Sequence, residues 1–99
     1  MELFVESRED RRGELGFVFD PAHWGRGYAT EATHVLMRFG FERLGLHRIA
    51  ATCHPDNRAS ARVLEKAGMT FEGRMRGHMR SRDGWRDSLL FAVVDDQLF

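Results

Sequence analysis

The sequence predicts a single small mixed α/β domain, and three features of its pattern support this fold class. An alternating apolar run at residues 15–19 predicts a strand, and residues 28–44 carry apolar side chains at helical spacing. A buried strand at residues 47–53 is predicted directly after this helix. A strand, a helix and a strand in this order form a parallel pair with a right-handed crossover. A ligand is therefore expected beyond the carboxyl ends of these two strands.

Three further strands complete the predicted sheet. Residues 3–6 form a short apolar segment, joined to the next strand by a charged loop that ends at Gly13. Residues 69–76 alternate between apolar and polar, which predicts a strand with one wet face. Residues 86–94 are apolar on both faces toward their end, so this last strand is expected to be the more central of the final pair.

A second helix is predicted between Asn57 and Gly68. Asparagine is a favoured N-cap, and glycine commonly follows a helix C-terminus. Ser60 falls on the inward face of this helix at the spacing of its apolar residues, which are Val63, Leu64 and Ala67. A serine in this position is either a small residue bonded to its own helix or a functional group, and spacing alone leaves both readings open.

Composition limits the classes of function. The 99 residues include 15 Lys+Arg and 15 Asp+Glu, so no net charge draws the whole chain to nucleic acid or to an anionic membrane. Cys53 is the one cysteine, which excludes an internal disulfide and fits a reducing compartment. No apolar run approaches the length of a membrane helix and no signal peptide pattern is present, so we expect a cytoplasmic protein.

The turn before the first predicted helix has the composition of an anion-binding site. It reads Trp24, Gly25, Arg26, Gly27 and Tyr28. Glycines allow a ligand to approach the backbone closely, and the first helical amides carry partial positive charge that suits a phosphate or pyrophosphate. Two glycines also suit a turn that binds nothing, so this segment alone does not decide between the two interpretations.

Other chemistry-bearing residues predict no further site. The spacing of the five histidines matches no metal-ligand template, so we expect no metal. Cys53 is more readily explained as a small buried residue than as a nucleophile. A basic run includes Arg74, Arg76, Arg80, Arg82 and Arg86. It is either a solvated face or a contact for coenzyme phosphates, an acidic acceptor or RNA.

Five segments in order resemble motifs of the Gcn5-related N-acetyltransferases, and the nearest branch is the RimJ/RimL-type ribosomal-protein-alanine acetyltransferases. The resemblance covers residues 13–94. The segments read WGRGYATEA at 24–32, GLHRI at 45–49, PDNRAS at 55–60, VLEKAGM at 63–69 and GWRDSLLF at 84–91. The resemblance implies the acyl-CoA N-acyltransferase fold, with acetyl-CoA as the donor and a primary amine as the acceptor.

Site residues follow from the same resemblance. Backbone amides of the glycine turn would bind the coenzyme pyrophosphate, with Trp24 at the first position of the loop; these amides belong to Gly25, Arg26, Gly27, Tyr28 and Ala29. Asn57 would contact the pantetheine arm. Ser60 would lie near the thioester sulfur and protonate the leaving thiolate.

The expected reaction is direct attack of an amine on the thioester. A protein α-amine has a pKa of about 7.7–8, so about a tenth of it is neutral at pH 7, whereas a lysine amine near 10.4 needs far stronger deprotonation. An N-terminal α-amine of a protein is therefore a candidate acceptor. A glutamate proposed as the base in some relatives would fall near Met79, which cannot accept a proton; His78 and Asp87 are the nearby alternatives.

Residues 1–99 are expected to form one domain that corresponds to the donor-binding half of the family fold. The elements that normally precede Leu3 in the family are absent from this sequence, and they shape the acceptor groove. We therefore expect an exposed sheet edge and a homo-oligomer, most simply a dimer. A non-catalytic coenzyme-binding or assembly module is the alternative function, and an RNA-binding module is a third.

Overall fold

The computed structural model describes residues 2–16 and 26–95. It contains five strands and two helices in these ranges. Their bounds are β1 (Glu2–Ser7), β2 (Arg12–Gly16), α1 (Arg26–Glu42), β3 (Arg48–Cys53), α2 (Arg58–Lys66), β4 (Thr70–Ser81) and β5 (Gly84–Val94). The mixed α/β class and the order of elements predicted from the sequence are confirmed.

The strands form one sheet in the order β1-β2-β3-β5-β4. The predicted parallel pair is present, because β2 runs parallel to β3 from Arg12↔Arg48 to Leu15↔Ala51. All other pairs are antiparallel. The prediction that β5 is more central than β4 is also confirmed, since β5 lies between β3 and β4.

The hydrophobic core lies on one face of the sheet, beneath both helices. Alternate residues of β3 point into it, and they are Ile49, Ala51 and Cys53. Met37 from α1 and Leu64 from α2 are fully buried against this face. The inward face predicted for α2 is confirmed, because its apolar residues and Ser60 are buried.

Two glycines allow α1 and its following turn to approach the sheet closely. A Cβ at Gly40 would lie 2.8 Å from Ile49 Cδ1, and one at Gly13 would lie 2.7 Å from Leu46 Cδ1. Contacts this short do not occur without displacement of a neighbour, so both positions favour glycine. Gly13 was expected to end a loop. It lies inside β2 instead, paired with Val5 on β1 and with Ile49 on β3, so β2 starts earlier than the predicted strand at 15–19. Residues 17–19 of that prediction lie outside the described range.

The predicted alternation in the first strand of the last hairpin holds for most of residues 69–76, because Gly73 and Met75 are half-buried while the polar residues between them are exposed. The strand is longer than residues 69–76, and its register against β5 shifts between Phe71 and Gly73 and again between Met75 and Met79. Gly77, with a φ of 57°, lies within the second irregular segment. Phe71 is the exception to the alternation, since it is 51% exposed although it was assigned to the dry face. It still contacts Phe91 edge-on, with ring centroids 5.5 Å apart.

The opposite face of the sheet carries charged side chains, and in the described part of the chain no helix covers it. Arg48 on β3 donates two hydrogen bonds to the Glu72 carboxylate on β4, at 2.9 and 2.6 Å. The Arg48 guanidinium lowers the pKa of Glu72 from its ordinary value. This bidentate pair links a central strand to the edge strand across β5.

Candidate functional site

The predicted phosphate-binding residues occupy the first turn of α1. The helix begins at Arg26, so the backbone of Gly27, Tyr28 and Ala29 lies at the end where the helix dipole favours an anion. Trp24 and Gly25 lie outside the described residues. Gly27 is exposed, and a Cβ there would meet no atom of residues 2–16 or 26–95 within 4 Å.

Two neighbouring residues of this turn, Tyr28 and Ala29, face opposite directions. Ala29 is fully buried and anchors the turn on the core, and its carbonyl accepts a hydrogen bond of 2.8 Å from the buried Thr33 hydroxyl. Tyr28 is 66% exposed and points away from the core. The first turn is therefore fixed from beneath while its outer backbone remains accessible.

Asn57 and Ser60 form the N-terminus of α2. Asn57 is the N-cap, as predicted, and its Oδ1 accepts a 3.0 Å hydrogen bond from the Ser60 backbone N–H. The Asn57 oxygen is therefore used to stabilise the helix start. Ser60 is only 4% exposed, so its side chain lies inside the fold at the base of the helix.

Topology directs the N-termini of both helices to the same end of the sheet. The turn after α1 lies beside the amino ends of β2 and β3, where His47 N–H donates to the Arg11 carbonyl at 2.7 Å. The 17-residue α1 is about 25 Å long, so its other end points toward the carboxyl ends of these strands. The start of α2 follows the carboxyl end of β3 directly. This is the edge where ligands bind in open α/β sheets.

A cleft of about 410 Å³ adjoins the first turn of α1. It is lined by Gly27, Thr30, Glu31 and His34 along two turns of α1, and by Lys66 from the last turn of α2. The cleft residues other than Gly27 were not predicted as site residues. Sequence spacing gave no signal for them, because the cleft exists only where two helices separated by a strand approach each other.

A sequence model of the family described as "Acetyltransferase (GNAT) domain" matches residues 2–70. The chain belongs to this family. The GNAT match spans β1 through α2, and so includes the parallel strand pair and both helix N-termini that form the candidate site.

Individual GNAT relatives resemble most of the chain. It is 38% identical over 84 residues to the uncharacterized N-acetyltransferase YnaD of Bacillus subtilis, which covers 85% of this chain and 49% of YnaD. It is 24% identical over 97 residues to the spermidine N(1)-acetyltransferase of Escherichia coli, covering 98% of this chain and 52% of that protein. The chain therefore spans about half the length of the curated relatives that it matches.

A solved GNAT structure has the same fold. RimJ of Mycobacterium smegmatis, determined in complex with CoA-disulfide, superposes with a TM-score of 0.81 at 33% identity, over 89% of this chain and 42% of that one. The GNAT acyltransferase fold predicted from the sequence motifs is thus confirmed.

The two candidate bases of this GNAT chain, Asp87 and His78, have different hydrogen-bond partners. The Asp87 carboxylate accepts hydrogen bonds from Arg74 Nε at 2.7 Å and from the Gly77 backbone N–H at 2.9 Å. Both donors lower the pKa of Asp87, with the Arg74 bond the larger cause, so this carboxylate is a poor proton acceptor. His78 Nδ1 lies 2.9 Å from the hydroxyl of the fully buried Ser88. Its ring borders a cleft of about 260 Å³ on the helix-free face.

The remaining candidates have structural explanations. Burial raises the pKa of the Cys53 thiol, which disfavours the thiolate that a nucleophile requires. Within the basic run, Arg74 is paired with Asp87 and Arg86 donates to the Ser88 hydroxyl at 3.2 Å. In the ranges 2–16 and 26–95, no three His, Cys, Asp or Glu side chains come together in a way that would suit a metal ion. Neither helix in those ranges is both long and apolar enough to span a membrane.

Proposed function

We propose that this chain binds acetyl-CoA at the N-terminus of α1 and takes part in transferring its acetyl group to a primary amine. The observation that carries the proposal is the exposed first turn of α1 at Gly27, where no described residue would meet a Cβ, within a chain of the GNAT family. An accessible helix N-terminus without a side chain to block it suits a pyrophosphate. The solved RimJ structure, which contains a CoA derivative, supports the same donor.

Ser60 is proposed as the acid that protonates the departing thiolate. Its position at the start of α2, with its backbone held by Asn57, would fix the hydroxyl in a dry environment. A thiol with a pKa of roughly 8.5 is a tolerable leaving group, so the acid contributes to the rate without being indispensable. Asn57 is proposed to reach the pantetheine arm with its amide N–H₂ group, because its oxygen is already engaged in the cap.

Of the two candidate bases, His78 is proposed as the proton acceptor for the incoming amine; it borders the cleft on the helix-free face, whereas Ser60 is buried beneath α2 on the other face. Asp87 is less suited to this role because two donors already bind its carboxylate. If Ser88 accepts a hydrogen bond from His78 Nδ1–H, the other ring nitrogen is left as the basic atom. An imidazole is a sufficient base for a protein α-amine, but a much weaker one than a lysine amine requires.

We propose a protein N-terminal α-amine as the acceptor class, on this pKa argument and on the resemblance to the RimJ/RimL branch. A polyamine is the competing acceptor, because a spermidine acetyltransferase is among the relatives. A non-catalytic coenzyme-binding module remains the alternative function, since the chain spans about half of its relatives. A cytoplasmic location is part of the same proposal.

We also propose that the chain works as a homo-oligomer, most simply a dimer. β1 lies at one edge of the sheet, and in the described ranges it pairs with β2 alone. Phe4 and Val5 on this strand are 51% and 41% exposed. An apolar sheet edge favours addition of a strand from a second copy.

The test is release of coenzyme A from acetyl-CoA with a panel of amines: peptides with free α-amines, the same peptides with blocked N-termini but free lysines, and spermidine. We expect turnover with the free α-amines. Ser60→Ala is expected to lower the maximal rate about 10–100-fold with coenzyme affinity unchanged. Binding of acetyl-CoA without turnover of any amine would support the non-catalytic module. Turnover of spermidine alone would replace the α-amine by a polyamine.

A further inference from the structure

The hairpin of β4 and β5 continues beyond the rest of the sheet. Pairing between β3 and β5 ends at Cys53↔Leu89, whereas pairing between β4 and β5 continues to Ser81↔Gly84. Residues 75–88 therefore form a two-stranded segment with no third strand of the described chain beside it, and we call this segment the ribbon. Most of its residues are exposed. It projects past the carboxyl end of β3, which is the end of the sheet where α2 begins.

The ribbon is positively charged in a chain that is neutral overall. It holds four of the 15 Lys+Arg residues and two of the 15 Asp+Glu residues, so the rest of the chain is net negative. One of these two carboxylates, Asp87, is already bound by Arg74 from outside the ribbon. Arg80 and Arg82 are exposed, and neither forms an ion pair with another residue of the ranges 2–16 and 26–95. The end of the ribbon thus has two cations available to an anionic partner.

An exposed indole accompanies these two arginines. Trp85 lies directly opposite Arg80 in the register of the hairpin, and Arg82 is in the turn that joins the two strands. Residues directly opposite each other in an antiparallel pair project from the same face, so the indole and the Arg80 guanidinium share one face of the ribbon. Trp85 is 69% exposed, although tryptophan is highly buried on average. The end of the ribbon therefore combines a flat aromatic surface with cations.

An RNA segment with unpaired bases has the chemistry that matches this combination. Its phosphates suit the arginines, and an unpaired base stacks on an aromatic ring. A duplex keeps its bases stacked on one another, so it would offer the indole no base. An acidic protein segment would suit Arg80 and Arg82, but it would leave Trp85 without a flat partner. The charge and the indole together favour unpaired RNA over both.

We propose that the end of the ribbon, formed by Arg80, Arg82 and Trp85, is a docking surface for an unpaired segment of RNA. The two arginines neutralise backbone phosphates, and the indole stacks with one base. This surface does not require acetyl transfer, and its RNA affinity is measured without acetyl-CoA. If the same side chains form only a solvated hairpin end, RNA affinity does not depend on them.

The experiment is a titration of a labelled, unstructured RNA of about 12 nucleotides with the whole chain, followed by fluorescence anisotropy at several salt concentrations. We expect log K to fall with log salt with a slope of about −1.4 or steeper, as for two phosphates neutralised on a single strand. Arg80→Gln and Arg82→Gln should each reduce this slope by about 0.7. Trp85→Ala should lower the affinity about tenfold and leave the slope unchanged, whereas Trp85→Phe should retain most of the affinity.

Two matched controls remove the same kinds of group from elsewhere. Arg43→Gln removes an exposed charge from the turn after α1, at the opposite end of the sheet, and Phe39→Ala removes a half-exposed aromatic ring from α1. Both should leave the RNA affinity and its salt dependence unchanged. The affinity for acetyl-CoA should be the same in all ribbon variants as in the wild type, and the Tm of each variant shows that it folds.

Four results would overturn the inference: no RNA binding by the wild type, equal binding of a duplex of the same sequence, wild-type affinity in Trp85→Ala, or an unchanged salt slope in both arginine variants. Displacement of the RNA by an acidic peptide of equal charge at equal concentration would replace RNA by a protein partner. A loss of acetyl-CoA affinity in Arg80→Gln would assign that arginine to the coenzyme phosphates instead. None of these results removes the proposed acetyl transfer, which is tested separately by release of coenzyme A.

Discussion

The two ends of α1 carry glycines for opposite reasons. Near the N-terminus, Gly27 is exposed and a Cβ there would meet no atom of the described residues within 4 Å. Near the C-terminus, Gly40 is buried, and a Cβ would approach Ile49, Leu3 and Leu46 at 2.8, 3.1 and 3.2 Å. Neighbouring side chains fill the space at Gly40, whereas no residue of the described ranges fills the space at Gly27.

This difference shows how to separate residues that maintain the fold from those that bind. A glycine in a helix interior costs roughly 1 kcal/mol relative to alanine, which applies at Gly40, whereas Gly27 lies in the first turn, where the cost is smaller. At Gly40 the close packing of α1 against the sheet offsets the cost. At Gly27 no contact within the described structure offsets it, which is what we expect if the benefit is coenzyme binding.

The largest effect on stability is expected at the packed end of α1. Gly40→Val would force a side chain against Ile49 and Leu46, and overpacking of this kind lowers the free energy of unfolding by about 1–3 kcal/mol. A domain of this size loses roughly 4–8 °C in Tm for each kcal/mol, so thermal unfolding monitored by circular dichroism measures the change. A variant that is as stable as the wild type would mean that the helix does not pack as closely as described.

A smaller effect on the free energy of unfolding is expected at the start of α2. Asn57→Ala removes the side-chain cap on Ser60 N–H and should lower the free energy of unfolding by about 1 kcal/mol. Asn57→Asp retains an oxygen for the cap but has no N–H₂ group. It should therefore keep the stability and weaken coenzyme binding, if the amide contacts the pantetheine arm. Equal coenzyme affinity in Asn57→Asp and the wild type would leave Asn57 with a capping role alone.

The smallest effect on the free energy of unfolding is expected on the helix-free face of the sheet, away from both ends of α1. Because Arg48 lowers the pKa of Glu72, this ion pair stabilises the fold above the ordinary glutamate pKa of about 4.3, and the stabilisation is lost as the pH falls through the lowered value. Glu72→Gln should cost only about 0.5 kcal/mol at pH 7, because both side chains are partly exposed. Denaturant unfolding between pH 7 and pH 3 should show a difference that is largest at pH 7 and shrinks as the pH falls, with coenzyme affinity unchanged at pH 7.

Most of the fold followed from hydrophobic periodicity and from turn residues. The parallel pair of β2 and β3 and the cap at Asn57 depend on local signals that the sequence carries plainly. The irregular register of β4 did not follow, because a β-bulge displaces alternation by one residue and leaves no composition signal of its own. The strand position of Gly13 has no local signal either, because it depends on pairing with Ile49, which is distant in sequence.

The candidate site was only partly predictable. The first turn of α1 and the buried position of Ser60 could be placed from motifs and spacing. The preference for His78 over Asp87 as the base required knowledge of which donors surround each group. Lys66 could not be connected with α1 from the sequence, since it reads as an ordinary basic residue at a helix C-terminus.

The central claim is that coenzyme A binds at the open end of α1, and a graded series at Gly27 tests it most directly. Coenzyme A affinity is measured by calorimetry, together with Tm, in the wild type, Gly27→Ala and Gly27→Val. We predict a Tm that is unchanged or slightly raised, because no contact is disturbed, and an affinity that falls with side-chain size, by at least about tenfold for valine. Wild-type affinity in Gly27→Val would contradict the account, because a ligand bound against this backbone cannot accommodate the valine.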